Sequence, residues 1–364
     1  MLVIYSYPIE RSPIAIMALV RLDTKTKYLL IAAVFGFLSF CDQNLQLGAD
    51  GLKGAVPDGY LLALKVLQRG KDYNHASLFK IVFDGTVTQL WNYSYDQSHG
   101  LFAENLFAID TKNSLVYLGA LDQFLALDML TGGIKIKIPL KPPNLQYFWN
   151  YDYVAEDEAI YGVCYSHESQ MWKWCHVKLN GTNNVTLKFL YEFPTVSPIV
   201  APIDNTYYMD KEHQTIWYYP GCYAHGVNYT TGEVIFTSGT AIDLCIAHDH
   251  TLNRTFTIIN NINAKPRLAE LRPEPYPDKV LMELPENLRP NYYGTCTYDH
   301  KTHTMIGLMT NVTLSNYTHY YMPTHLLLMD VVGLTNRIVP LPAFQEKWSS
   351  DFPVTAVKFV PNNN

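Results

Sequence analysis

"NLFAIDTKNSLVYLGALDQFLALDMLTGG", residues 105–133, and "NTYYMDKEHQTIWYYPGCYAHGVNYTTGE", residues 205–233, are two copies of one pattern. Asp110 and Asp210 each close a short apolar run. Tyr117 and Trp217 come at matching places in the next run, and Gly132 and Gly232 close the third. Short runs of apolar and aromatic residues suit strands, and the Asp, Asn, Thr and Gly clusters between them suit turns. Each copy therefore reads as strand, polar turn, strand, loop, strand and a Thr-Gly turn. Beyond the N-terminal segment, no long stretch has helical periodicity with convincing caps.

The pattern recurs less closely along the chain. Third-strand versions are "LFKIVFDG" ending at Gly85, "WCHVKLNG" ending at Gly181 and "HLLLMDVVG" ending at Gly333, with "RLAELRPEP" from Arg267 filling the remaining gap. First-strand versions end near Glu156, Asp249 and Asp299. Counted together these make six units, each followed by a further β-rich run. A four-strand unit repeating at this interval predicts an all-β chain, a six-bladed β-propeller of four-stranded blades. The ends fit a closed ring: "GYLLALKV" at 59–66 reads as a second strand without a first, and "VTAVKFVP" at 354–361 as a first strand without a second. The two termini are expected to share one blade. The predicted organisation is a signal peptide or signal anchor over 1–41, a linker over 42–57 and one propeller domain over 58–361.

In blade layout the unit resembles the six-bladed propellers of the low-density-lipoprotein-receptor, gluconolactonase and NHL kind. The receptor type's "YWTD" is absent, and the corresponding places read "LVYLG", "IYGV" and "IWYY". "ALDMLTGG" also resembles quinoprotein propeller repeats, which expect more blades and a tryptophan after the Thr-Gly pair.

Composition narrows the function. Of 364 residues, 48% are hydrophobic and 16% charged, with a net charge of −6. A nucleic-acid binder would carry a basic patch, so that class is set aside. Arg21, Lys25 and Lys27 precede an uncharged run from Tyr28 to Cys41, the pattern of a secretory signal. The run is too short for an ordinary membrane span, and Met17 would give the signal a conventional length. Seven N-x-[ST] sequons, at Asn92, Asn180, Asn184, Asn228, Asn253, Asn311 and Asn316, also suit a secreted or lumenal glycoprotein. So do Cys164 and Cys175, which a hairpin folded at Gln170 would place nearly opposite each other for a disulfide. Cys222, Cys245 and Cys296 form an odd set whose pairing the sequence leaves open.

No G-x-S-x-G, H-E-x-x-H or P-loop motif is present. The leading expectation is a binding module that takes an extracellular protein or a small-molecule ligand through its loop face. The aromatics placed there are Tyr147, Phe148, Trp149, Tyr292, Tyr293 and Trp348. The alternative is a calcium-dependent, lactonase-like hydrolase. Asn105, Asp152, Asn205, Asp243, Asn291 and Asp351 are read near the starts of inner strands, where several oxygen ligands could surround one hard cation at the channel mouth. No cofactor is expected beyond that calcium. "CIAHDHTLNR", residues 245–254, would place His248 and His250 on one strand face, as two metal-binding imidazoles require. Asp249, however, takes the place of Asp110, Asp210 and Asp299, and no third ligand lies at a useful spacing. The motif is therefore read as turn chemistry.

Overall fold

The computed structural model describes residues 56–69, 73–96, 107–119, 123–139, 145–166, 169, 171–179, 185–192, 207–218, 224–238, 245–260, 264–273, 276–290, 296–312, 323–342 and 354–362. The chain divides into Met1–Lys53, which lies outside the described residues, and Gly54–Asn364. The expected signal segment therefore falls outside the described residues.

The described strands form six antiparallel sheets. Blade 1 holds β1 (Gly59–Arg69), β2 (Tyr73–Ile81) and β3 (Val87–Asp96). Blade 2 holds β4 (Phe107–Asp110), β5 (Leu115–Gly119), β6 (Gln123–Asp128) and β7 (Ile134–Pro139). Blade 3 holds β8 (Leu145–Val154), β9 (Ala159–Ser166), β10 (Met171–Leu179) and β11 (Val185–Glu192). Blade 4 holds β12 (Tyr207–Asp210), β13 (Thr215–Tyr218), β14 (Ala224–Asn228) and β15 (Val234–Ser238). Blade 5 holds β16 (Ile246–Asp249), β17 (Arg254–Ile259), β18 (Arg267–Leu271) and β19 (Lys279–Glu283). Blade 6 holds β20 (Leu288–Pro290), β21 (Cys296–Asp299), β22 (Thr304–Asn311), β23 (His325–Asp330) and β24 (Thr335–Pro340). Finally β25 (Val354–Pro361) returns to pair antiparallel with β1 as the inner strand of blade 1, as expected from the unmatched ends. The fold is a six-bladed β-propeller.

The core is not one mass but six layers, one between each pair of neighbouring blades. Strand alternation produces this directly, since successive side chains point to opposite faces. In β1, Leu61 and Ala63 face blade 6 while Leu62 and Leu64 face blade 2. In β22, Ile306 and Leu308 pack towards blade 1, and Met305 and Met309 towards blade 5. A strand covered on both faces reads as a continuous apolar run, which is why "LLAL" and "MIGLM" are unbroken.

Two turn devices repeat. The turn from inner to second strand ends in a left-handed residue in five blades: Ser114, Glu158, Gln214, Asn253 and His303, with φ between 50° and 55°. In four of these blades an aspartate closes the inner strand, and its carboxylate accepts backbone N–H bonds in the turn, as Asp110 does from Asn113 at 3.1 Å and Asp249 from Leu252 at 2.9 Å. The turn from third to fourth strand uses a second carbonyl or carboxylate cap. Asp128 accepts from the N–H groups of Leu130 and Thr131, and Asn228 from those of Thr230 and Thr231. The glycines of these turns, Gly132 and Gly232, have φ of 69° and 79°. A Cβ there would lie 2.7 Å from Trp91 and from Tyr191 respectively, each on the outer strand of the preceding blade. Glycine is thus required twice, by the backbone and by inter-blade contact.

Three expectations need correction. The pairing of β9 with β10 sets Ser166 opposite Met171, a register shifted from that of a hairpin folded at Gln170. Cys164 therefore faces Lys173, and Cys175 faces Gly162; the two cysteines meet across a diagonal, on one face, with Cα atoms 6.3 Å apart, and are disulfide-bonded. Second, "QYFWNYDYV" is rich enough in aromatics to continue as strand, so the backbone of Tyr147, Phe148 and Trp149 lies in β8 and not in a loop. Third, because β8 is long, Asp152 sits near its end and not its start. The structure also supplies a pairing left open above: Cys245, just before β16, is bonded to Cys296, the first residue of β21, and so joins blades 5 and 6.

Two stability outcomes follow from these contacts. Gly232→Ala should lower unfolding free energy by more than about 1 kcal/mol, because φ is positive and the new Cβ meets Tyr191; denaturant melts compare it with Gly133→Ala, where a Cβ meets only the Thr131 hydroxyl, at 3.5 Å. Of the disulfides, Cys245–Cys296 closes the longer loop (sequence separation 51 against 11). Its loss should cost about 4 kcal/mol against about 3 for Cys164–Cys175 on the chain-entropy account. Equal or reversed losses for the two Cys→Ser pairs would contradict that ranking.

Candidate functional site

The inner strands end in a ring of carboxylates at one mouth of the propeller axis. Neighbouring inner strands lie side by side, as β4 with β8, β12 with β16, β16 with β21 and β21 with β25. Their ends therefore come close, and the terminal Asp110, Asp210, Asp249 and Asp299, with Asp152 two residues before the end of β8, are all buried there.

Three of these carboxylates, those of Asp110, Asp152 and Asp249, receive a group from another blade. Asp110 takes the Tyr153 hydroxyl of blade 3. Asp152 is held by two ammonium groups, Lys211 of blade 4 at 3.0 Å and Lys358 of β25 at 2.8 Å. The second of these joins blades 1 and 3, which are not neighbours in the ring. Asp249 accepts the Tyr298 hydroxyl and faces His303 Nδ1, both at 2.6 Å and both from blade 6. Tyr208 is enclosed by this ring, with its hydroxyl against His300 Nε2.

The electrostatics follow from those contacts. Burial raises the Asp152 carboxyl, but the charges and hydrogen bonds of Lys211 and Lys358 outweigh it and hold the group below its ordinary range. Burial likewise acts against ionised Asp249; bonds from Thr251, Tyr298, His303 and the Leu252 N–H reverse the sign and keep it charged. Tyr208 is pushed well up, first by burial and then by the charges of Asp210, Asp249, Asp299 and Asp152. It stays a neutral hydroxyl at any physiological pH.

The "HDH" stretch resolves into three separate roles. Asp249 is the turn cap expected for it. His248 is not a turn residue: it lies buried in β16, stacked on Trp217 with ring centroids 3.9 Å apart, and its Nδ1 faces the Thr255 hydroxyl. Burial, then the nearby His250, pushes its pKa down to about 4, so it is neutral. His250 opens the turn and stacks on His213 of blade 4 with centroids 3.5 Å apart. The third ligand that sequence spacing did not offer is thus supplied across the blade boundary. Asp210, His213 and His250 place ligand atoms within 4.8 Å of one another.

Of the calcium ligands expected at the other mouth, Asn105, Asn205, Asp243, Asn291 and Asp351 lie outside the described residues. Asp152 is not at that mouth, and both of its oxygens are engaged by lysines. Among the aromatics expected to form a binding face, Tyr292, Tyr293 and Trp348 also lie outside the described residues. Sequence reading missed Tyr208, Lys211, His213, Tyr298, His300, His303 and Lys358. The signal for most of them was present in the aligned turns "DKEHQ", "HDHTLN" and "DHKTH", where histidines recur beside the capping aspartate.

No protein-family model matches the chain, and no curated protein matches it in sequence. Solved structures with a similar course include a candidate 6-phosphogluconolactonase from Bacteroides uniformis, with TM-score 0.48 and 11% identity over 83% of this chain and 100% of that one. Others are the Cps50 (Swd1) β-propeller domain of Myceliophteria thermophila (TM-score 0.42, 10% identity, 72% and 83% covered) and TolB from Acinetobacter baumannii (0.39, 11%, 78% and 69%).

The lysine pair on Asp152 gives a direct test. Asp152→Asn leaves two ammonium groups without their anion, one of them largely buried, and should cost about 3 kcal/mol at neutral pH. Because the folded-state pKa of Asp152 is depressed, its contribution is present above the ordinary carboxylate pKa of about 3.9 and is lost as pH falls through the lower folded value. The gap between wild type and variant in urea melts should therefore close only in strongly acidic buffer. A gap that is already absent at neutral pH would show the triad to be unimportant.

Proposed function

We propose that the chain is a secretory-pathway glycoprotein whose propeller serves as a rigid scaffold for binding an extracellular protein or small molecule. The observation that carries the reading is the pair of disulfides within the propeller, one inside blade 3 and one between blades 5 and 6. Such bonds persist in oxidising compartments and are rare in the cytosol. Two sequon asparagines, Asn92 and Asn253, are exposed, as an acceptor must be. Asn228 caps a turn, Asn311 is buried at the end of β22, and Asn180, Asn184 and Asn316 lie outside the described residues. Among the described residues, no helix is long and apolar enough to cross a membrane.

Binding is favoured over calcium-dependent hydrolysis because Asp152, the described member of the expected calcium set, is neutralised by lysines. A loaded cation would have to displace both. On a rigid scaffold, surface loops are in general the parts able to vary without cost to the core.

Expression of the full chain in eukaryotic cells tests the reading. The protein should reach the medium, gain mobility on enzymatic removal of N-glycans, and carry glycans at Asn92 and Asn253 but none at Asn311. Cytosolic retention with freely alkylated Cys164, Cys175, Cys245 and Cys296 would overturn it.

A further inference from the structure

From the cluster at the boundary of blades 4 and 5, we propose that Asp210, His213 and His250 form a binding site for a first-row divalent cation, with Zn²⁺ the best match. Two imidazoles and one carboxylate are a donor set that zinc takes readily, with a fourth position left for water or a further ligand. All three ligand atoms already lie within 4.8 Å of one another.

The fold prepares each donor. Asp210 is buried and closes β12, so its carboxylate cannot swing away. It accepts the His213 N–H at 3.1 Å, which fixes the turn, and its other oxygen lies 2.8 Å from His213 Nδ1. That contact already holds two of the three donor groups together. His250 comes from the equivalent turn of blade 5, and its ring lies over that of His213 at an interplanar angle of 13°. His250 is exposed, so an ion can enter from solvent and the side chain can turn to meet it. The neighbouring His248 is excluded from the site by its stack on Trp217 and its bond with Thr255.

Position gives the site a purpose. On the same mouth, blade 6 is tied to blade 5 by His303 and Tyr298 on Asp249, and blade 4 to blade 3 by Lys211 on Asp152. At the boundary of blades 4 and 5 the described polar link at this mouth is the stacked imidazole pair. Among the described residues the apolar layer there is also the smallest of the six, with Trp217, Ala224, Ile246 and Leu271 buried in it. A cation bridging His213 and His250 would add a tie at this mouth to the stack of Trp217 on His248 across the same boundary.

The test uses the full chain, stripped with EDTA and with its remaining thiols alkylated, titrated with Zn²⁺ against a chromophoric chelator. The expected result is one ion per chain with dissociation constant in the micromolar range or below, and a rise in melting temperature on loading. His250→Ala and His213→Ala should each weaken binding at least tenfold and abolish the thermal shift. Each variant's shift is measured from its own apo melting temperature, and His250, being exposed, keeps the test informative if His213→Ala folds poorly. Co²⁺ in place of Zn²⁺ should give d–d absorption bands in wild type and none in His250→Ala. Binding no tighter in wild type than in His250→Ala would overturn the proposal. So would binding that survives in His250→Ala but is lost in His303→Ala, since the ion would then sit on the adjacent Asp249 cluster.

Discussion

The pairing of β25 with β1 is the contact on which the other contacts depend. It joins residues 354–361 to 59–65, almost the two ends of the described chain, and supplies the inner strand of blade 1. Side chains of β25 then serve three different places. Val357 enters the layer between blades 6 and 1, Val360 the layer between blades 1 and 2, and Lys358 crosses to Asp152 of blade 3. Were β25 to leave, two apolar layers would open and one buried carboxylate would lose a partner at the same time. A sheet edge would also be exposed at the axis, and edges are what a closed ring removes. Contacts of such long sequence separation form late and cooperatively, so the ring is expected to fold as one unit.

At the mouth where the inner strands end, one residue type does two jobs. The aspartates first cap their own turns, a local need that Asn, Ser or Thr could also meet. Asp110 and Asp249 then also meet the next blade, at Tyr153 and at the pair Tyr298 and His303, while Asp152, two residues before the end of β8, meets Lys211. The same carboxylates that shape the blades therefore also link them. The boundary of blades 4 and 5 departs from this scheme: Asp210 is met by His213 of its own turn, and the neighbour contributes a stacked imidazole instead.

Much of the ring was legible in the sequence because its signals are local. The capping aspartates, the glycines at positive φ and the aromatic second strands recur with the blades, and each follows from backbone geometry within a few residues. The unmatched strands at 59–66 and 354–361 revealed closure for the same reason. Lateral neighbours were not legible. Nothing local to Cys245 points to Cys296, and nothing local to His250 points to His213, because blade-to-blade contact is set by the ring and not by spacing. Strand length was the other limit. An aromatic run such as "QYFWNYDYV" suits a strand as well as a loop, so β8 extends far enough to carry Asp152 to the opposite mouth from that expected.

Hydrogen exchange read by mass spectrometry tests ring closure most directly, since it needs no substitution. If β25 is an integral inner strand, amides of residues 354–361 exchange as slowly as those of β1 and β22, and all three are released together as denaturant is raised. Exchange of 354–361 within seconds, while β1 and β22 stay protected, would contradict a ring closed by its termini.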